Sequence, residues 1–474
     1  MPREPFRVVV VGSGLAGLSC ASSLLAAGFQ VTVLTPGYLG RDGASHRVQA
    51  LAPWILLTAP WKRGDSPERF FEDLKRAGQG KERPGLAEVF AREAAPAARE
   101  LVELLDLEPL EGEPQLLPGN SFPRSRRFFP KTPGTLLAKL AALVHGAASV
   151  HEGTLAVGLE WNGHRVPGVW AWHRGTSELR RHPADAVVLA CGGLGALFGP
   201  STVPRWCRGS ALALASLVGS LLHNPHITQA LPVIAIPPVY FPTTAALLKA
   251  RLWAGSTPQG FSDLETLSEY LARALRQGQS AWVELAEADA CVLPRWIREA
   301  RHWREGKLPL TLAVHHGVGG VAIDAWGRTS VPGLYACGEA AGGVQGARRL
   351  MGTGLLEARI FGLRAAQAVA RDLPKLGPAP ATPAFPKLLA LPANARELEA
   401  FLDRTLGKLM VIRPRKEVQA FLEELDNWPS GSELEKGNAG WLAALRWVAA
   451  RVVLGEELRQ KALESQEVPR ELAG

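Results

Sequence analysis

Arg7-Val8-Val9-Val10-Val11-Gly12-Ser13-Gly14-Leu15-Ala16-Gly17 is the stretch that decides the fold. Four successive valines suit a strand buried on both faces, as in a parallel sheet. The glycines follow in the order GxGxxG, then comes a helical pattern from Leu18 to Ala27, then a second strand from Gln30 to Leu34. In such a strand-turn-helix unit Gly12 permits the tight turn and Gly14 lets a pyrophosphate approach the backbone. Gly17 allows helix and strand to pack closely. The helix start at Leu15 and Ala16 supplies free N–H groups and the positive end of the dipole. Thr35 closes the second strand, where an Asp or Glu usually holds an adenosine ribose.

Working outward, Ala186-Val187-Val188-Leu189-Ala190 is a second buried strand that runs into Cys191-Gly192-Gly193, glycines placed for a backbone passing close to a ligand. A short strand around Leu334-Tyr335-Ala336 ends in Gly338-Glu339, and Leu355 to Val369 is helical. Asp65-Ser66-Pro67-Glu68 starts a helix, with Ser66 as cap, Pro67 at the first helical position and Phe70, Phe71 and Leu74 facing inward. Asn162-Gly163 between two apolar runs marks a hairpin or meander. Residues 219–310 have weaker periodicity and many prolines, then helices over Leu264 to Gln277 and Pro294 to Trp303. A Pro-rich linker, 373–392, precedes a tail in which Leu398, Phe401, Leu402, Leu406 and Leu409, then Val418, Phe421, Leu422 and Leu425, fall at helical spacing. A third tail helix is expected from Trp441 to Leu463.

Composition bounds the class. The 474 residues are enough for about three domains, or for one large domain with an insertion. Hydrophobic residues at 47% and charged residues at 21% exclude intrinsic disorder. Lys and Arg number 53 against 45 Asp and Glu, a mild excess that fits a basic surface or an anion site and not nucleic-acid binding. Cys20, Cys191, Cys207, Cys291 and Cys337 stand singly, with no CxxC pair, so neither a disulfide framework nor a metal ligated by this chain is expected. The start is not patterned as a signal peptide, and the longest apolar stretch, Ala211 to Leu222, is too short to span a bilayer. A cytoplasmic location follows as an expectation. Forty-nine Gly, 36 Pro and three Met fit thermal adaptation or a biased genome equally.

One segment carries a specific resemblance. His315-His316-Gly317-Val318-Gly319-Gly320 is followed by Gly327-Arg328-Thr329, by Gly333-Leu334-Tyr335-Ala336-Cys337-Gly338-Glu339, and by Gly346-Ala347-Arg348-Arg349-Leu350-Met351-Gly352-Thr353-Gly354-Leu355-Leu356-Glu357. In order and spacing this resembles the HYxxGG, GRT, GLYAxGE and HGAxRLxxNSLLE blocks of the flavoproteins that include fumarate reductase, succinate dehydrogenase and L-aspartate oxidase. Ser45 and Gln49 are similar to the segment beside the flavin, and Asp65 to Leu74 to the helix after it. Thr35-Pro36-Gly37 and the three-helix tail, with Leu409-Met410 and Ile412-Arg413, are more similar to the aspartate oxidase branch than to the respiratory subunits.

The resemblance implies an α/β protein: a Rossmann-like FAD-binding domain (1–218 and 311–372), an inserted α+β capping domain (219–310) and a C-terminal helical bundle (393–474). FAD would be held by Gly12, Gly14, Leu15, Ala16, Gly17, Thr35, Ser45, Gln49, Gly192 and Gly193, by Glu339 on the ribose or ribityl hydroxyls, and by the helix start at Gly354, Leu355 and Leu356, which aims N–H groups at the ring. His315 and Arg349 stand where the family binds substrate carboxylates, and a planar guanidinium suits that task. Arg348 is expected at the surface. His46 falls one residue short of the spacing that covalent FAD attachment uses and is read as a loop histidine.

Departures gather on the substrate side. The family carries a proton-transferring cap arginine at a PRD-like helix start. Aligning Ala272-Arg273-Ala274 to that helix puts Ser268 and Glu269 where Arg-Asp should stand. The family's HPT segment corresponds to Leu231-Pro232-Val233, with Leu231 for His and Gln229 retained. Pro130, after Arg126-Arg127-Phe128-Phe129, replaces another His. Three functions fit these residues: an L-aspartate oxidase-type enzyme serving NAD biosynthesis, a related dehydrogenase with a larger or less acidic substrate, and a flavin-bearing subunit that scaffolds a partner. A small-molecule substrate, a dicarboxylate or an amino acid, is expected, and the chain could assemble with itself or with a partner subunit.

Overall fold

The computed structural model describes residues 4–41, 43–46, 54–132, 136–237, 239–242, 250–254, 258–261, 264–284, 307–379, 394–407, 409, 413–429 and 438–467. Gln49, Cys291, Met410, Ile412, the helix expected over Pro294 to Trp303 and most of the Pro-rich stretch lie outside them.

The valine run forms the strand Arg7–Val11, with Val8 to Val11 all buried. It is the middle strand of a five-stranded parallel sheet, in the order Leu334–Ala336, Ala186–Leu189, Arg7–Val11, Gln30–Leu34, Ser149–His151. Strand order therefore reverses at Arg7–Val11. In open parallel sheets the crevice at such a reversal, beyond the carboxyl ends of the strands, is where ligands bind. The helices Leu15–Ala26 and Gly354–Leu376 pack directly on each other, where a Cβ on Gly362 would overlap the Ala16 carbonyl. Two further glycines seat the first turn against the sheet. A Cβ on Gly17 would overlap the Gly12 carbonyl, and one on Gly12 the Ala190 carbonyl.

Asn162-Gly163 turns the first corner of an antiparallel meander, Thr154–Leu159, Gly168–His173 and Glu178–Pro183. The Asn162 side chain accepts from the N–H groups of His164 and Arg165, and Gly163 adopts φ 90°. The helix Pro67–Gly78 begins as its sequence dictates, with Ser66 Oγ accepting from Arg69 N. Its Asp73 joins Asp65 on the buried Arg124 guanidinium. Phe70 and Leu74 are buried there, while Phe71 is half-buried.

The inserted region contributes a six-stranded antiparallel sheet ordered Val239–Pro242, Thr228–Ile236, Leu308–Gly317, Ala281–Glu284, Arg251–Ala254, Pro258–Gln259. Pro232 lies inside it, opposite Leu312 of the neighbouring strand. The helix Leu264–Arg276 covers the sheet through Leu267 and Leu271.

The tail forms three helices, Ala395–Leu406, Arg415–Asp426 and Asn438–Glu467. Leu398, Leu402, Leu406, Leu409, Val418 and Leu425 are buried in one core with cap residues Leu267 and Leu310. Tail and cap are also joined by Arg413, which donates to the His226 carbonyl, Thr228 Oγ1 and Glu457. The helix Gly354–Leu376 runs beyond the expected linker start at 373, because Leu373 is buried against the sheet domain, and Gly377 (φ 69°) ends it. Among the described residues, no helix is long and apolar enough to cross a membrane.

Candidate active site

At the reversal of strand order a cleft of about 2010 Å³, including its solvent-open mouth, runs between the sheet domain and the cap. Gly12, Gly14, Leu15, Ala16, Thr35, Ser45, Gly192, Glu339, Gly354 and Leu355 line it, as do His315 and Arg349. The motif residues therefore converge, although more than three hundred positions separate the first from the last.

Three expected residues stand off the lining. Gly17 supports the turn from behind, and Leu356 is buried in the core. Gly193 makes room for Glu339, whose carboxylate a Cβ there would overlap. Gln49 lies outside the described residues. His46 is not among the lining residues, whereas its neighbours Ala44 and Ser45 are.

The phosphate end is built from local rules. Helix Leu15–Ala26 has no acidic residue in its first turn and no side-chain cap, so its dipole faces the cleft uncompensated. Ser45 Oγ accepts from Leu15 N at 3.3 Å. A Cβ on Gly14 would meet nothing nearer than that Oγ, at 3.7 Å. The fold itself thus does not require glycine at 14; the open space beside it is what a side chain would fill. Thr35, at the missing acid's position, takes a hydrogen bond from Ser13 Oγ at 2.9 Å.

The far end is polar and buried. Glu339 Oε1 accepts from Gly317 N at 2.8 Å and lies 3.4 Å from His316 Nδ1. Burial alone would raise the Glu339 carboxyl, but the His316 ring, the Gly317 N–H and Arg349 hold it below its ordinary range. Burial raises Glu357, which takes a hydrogen bond from Gln345 Nε2 at 2.7 Å. Burial likewise lowers Arg349, and its buried Nε meets no hydrogen-bond partner among the described residues. An unsatisfied guanidinium N–H in a cleft is costly and is relieved by an anion. Gly354 gives this head its room, since a Cβ there would stand 3.0 Å from Arg349 Nη1. Arg348, as expected, is exposed.

A β-bulge brings both histidines into the cleft. Gln229 pairs with His316 but Ala230 with Val314, so His315 is the extra residue and neighbours that would otherwise face opposite ways both line the site. Thr202 Oγ1 is 2.7 Å from His315 Nδ1. Burial first, then the Arg349 and His316 charges, push His315 down to about 3. At neutral pH it is an uncharged hydrogen-bonding group. Cys191 and Cys337 also line the cleft, but burial lifts each to about 12, so neither is a nucleophile.

The cap's lining comes from Gln229, whose Nε2 donates to the Arg349 carbonyl at 3.2 Å, and from Leu231. Helix Leu264–Arg276 does not reach the cleft. Ser268 and Glu269, where the family's Arg-Asp would stand, belong to this helix, and Glu269 pairs with the exposed Arg273 at 3.4 Å. Pro130 lies opposite Leu107 in a small sheet, away from the lining. Thr202, Val203, Trp206, Trp54 and Leu56 line the cleft without having been foreseen. They sit on loops or a short strand that carry no motif.

This strand-turn-helix, its glycines and the buried polar floor define an FAD-dependent oxidoreductase. The chain belongs to the FAD binding domain family, which matches residues 7–252 and 262–355. It is 31% identical to the L-aspartate oxidase of Caulobacter vibrioides, over 95% of this chain and 91% of that one. It is 26% identical to the L-aspartate oxidase of Bacillus subtilis, over 76% and 71%. The fold matches the Sdh1 complex of Mycobacterium smegmatis with a TM-score of 0.78 at 22% identity, covering 97% of this chain and 88% of that one. It matches E. coli quinol fumarate reductase with a TM-score of 0.75 at 18% identity, covering 97% and 90%.

Proposed function

We propose that the chain oxidises L-aspartate to iminoaspartate and supplies it to NAD biosynthesis in the cytoplasm. The observation that carries this reading is Arg349: a cation on the cleft floor whose buried Nε has no partner among the described residues, beside His315 and the start of helix Gly354–Leu376. The relatives' names support it.

FAD, when bound, supplies the hydride acceptor. Gly12, Gly14, Leu15 and Ala16 would cradle its pyrophosphate, Thr35, Ser45 and Gly192 would line its path, and Glu339 would take hydroxyls. Arg349 would clamp a substrate carboxylate in the planar, two-pronged manner a guanidinium allows. His315, neutral, donates its remaining N–H to the same group while Thr202 satisfies Nδ1. These contacts fix the Cα–H in one orientation, and proximity of that kind is worth large rate factors. Residues 219–310 act as a cap that excludes water, held by the tail helices through the core that Leu398 and Leu402 share with Leu310.

Leu231 favours a second reading. An apolar side chain on the cap strand, where the family block has His, suits a substrate with a less acidic end. Hydrogen peroxide production by the FAD-loaded protein, compared for L-aspartate, D-aspartate, succinate and apolar L-amino acids, separates the two. Turnover confined to L-aspartate supports the first reading, and preference for an apolar amino acid supports the second.

A further inference from the structure

The family block reads HYxxGG, and this chain has His316 where the block has tyrosine. That imidazole is buried and its Nδ1 faces a carboxylate oxygen that already accepts the Gly317 N–H. Gly193 closes the other side, since a Cβ there would overlap the Glu339 carboxylate. Glu339 is thus held from three directions. Oε1 is committed inside the protein, and among the described residues none takes Oε2, which is left for whatever enters the cleft.

We propose that His316 is a positioning residue for Glu339: its Nδ1–H donates to Oε1 and fixes the carboxylate, so that Oε2 is presented to the hydroxyls of the bound cofactor. This rests on the FAD reading above. The charged groups around the ring are Glu339 from the Gly338–Ala340 turn, Glu357 from helix Gly354–Leu376, Arg349 from the preceding loop and His315 on its own strand. Gln229, opposite it on the cap strand, is uncharged. A carboxylate accepts only, so the arrangement demands the tautomer with hydrogen on Nδ1. A tyrosine could not place a donor at that atom's distance from the backbone, whereas asparagine could.

The test is FAD affinity of the full chain, by fluorescence of released FAD, in a double-mutant cycle. His316→Leu is expected to weaken FAD binding about ten- to a hundredfold, the range for losing one charge-assisted hydrogen bond. His316→Asn restores binding to within about threefold of wild type, the spread expected when one polar donor replaces another. In a Glu339→Gln background His316→Leu costs nothing further, because its partner no longer needs fixing. Asparagine failing as badly as leucine, or the two losses simply adding, overturns the proposal. Should the leucine variant not fold, ¹⁵N spectra of the histidine-labelled holoenzyme decide it. A protonated Nδ1 at His316, assigned by its disappearance in His316→Asn, is expected, and a bare Nδ1 overturns the pairing while leaving the FAD reading intact. A wild-type chain that takes up no FAD overturns the cofactor reading and this proposal with it.

Discussion

Thr202 Oγ1 stands 2.7 Å from His315 Nδ1, joining a loop of the sheet domain to the bulged end of a cap strand inside the cleft. The hydroxyl fixes which ring nitrogen is left for a ligand. Thr202→Val keeps the shape and removes the hydrogen bond. It should lower kcat/KM about tenfold, the usual worth of one such bond, with the flavin spectrum unchanged. Steady-state kinetics beside an absorption spectrum check this.

Arg349 should answer to substitution on the substrate side alone. Arg349→Ala should retain FAD and lose turnover by two orders of magnitude or more, roughly the loss of a bidentate charged contact or greater. Arg349→Lys, a point charge without the fork, should recover only part of it. Turnover persisting in the alanine variant would place the substrate site elsewhere.

Gly14 and Gly17 should part company. Gly14→Ala meets open space, so the protein should fold with near-normal thermal stability yet bind FAD poorly. Gly17→Ala drives a Cβ into the Gly12 carbonyl and should lower the melting temperature of the apoprotein itself. Thermal unfolding with and without added FAD distinguishes the two.

His315 gives the pH dependence a sign. Its folded value, about 3, lies below the ordinary 6.5, so between those values the unfolded chain binds the extra proton. Its contribution to stability is fully present above about 6.5 and fades as pH falls toward 3. His182, pushed down to about 4 by burial and by the His151 ring, adds in the same direction. Denaturant unfolding at pH 7 and pH 4.5 should show a smaller loss on acidification for His315→Gln than for wild type.

What could be read in advance follows from range. The valine run and GxGxxG are local, and the turn they specify is the turn that forms. The strands Ala186–Leu189 and Leu334–Ala336 announced themselves by continuous apolar residues. Cap strands did not. Thr228–Ile236 pairs with Leu308–Gly317 across some eighty residues, carries Pro232, and has no alternation to mark it. The bulge that exposes His315 depends on that remote pairing, and so does the Thr202 contact. His316 was visible as a departure from a block, but its meeting with Glu339 needed the fold.

The most direct measurement is the visible spectrum of the purified, FAD-loaded protein, recorded without oxygen before and after adding L-aspartate. The flavin spectrum should bleach on L-aspartate and not on D-aspartate. A flavin band untouched by L-aspartate would contradict the proposed reaction while leaving the fold and cofactor in place.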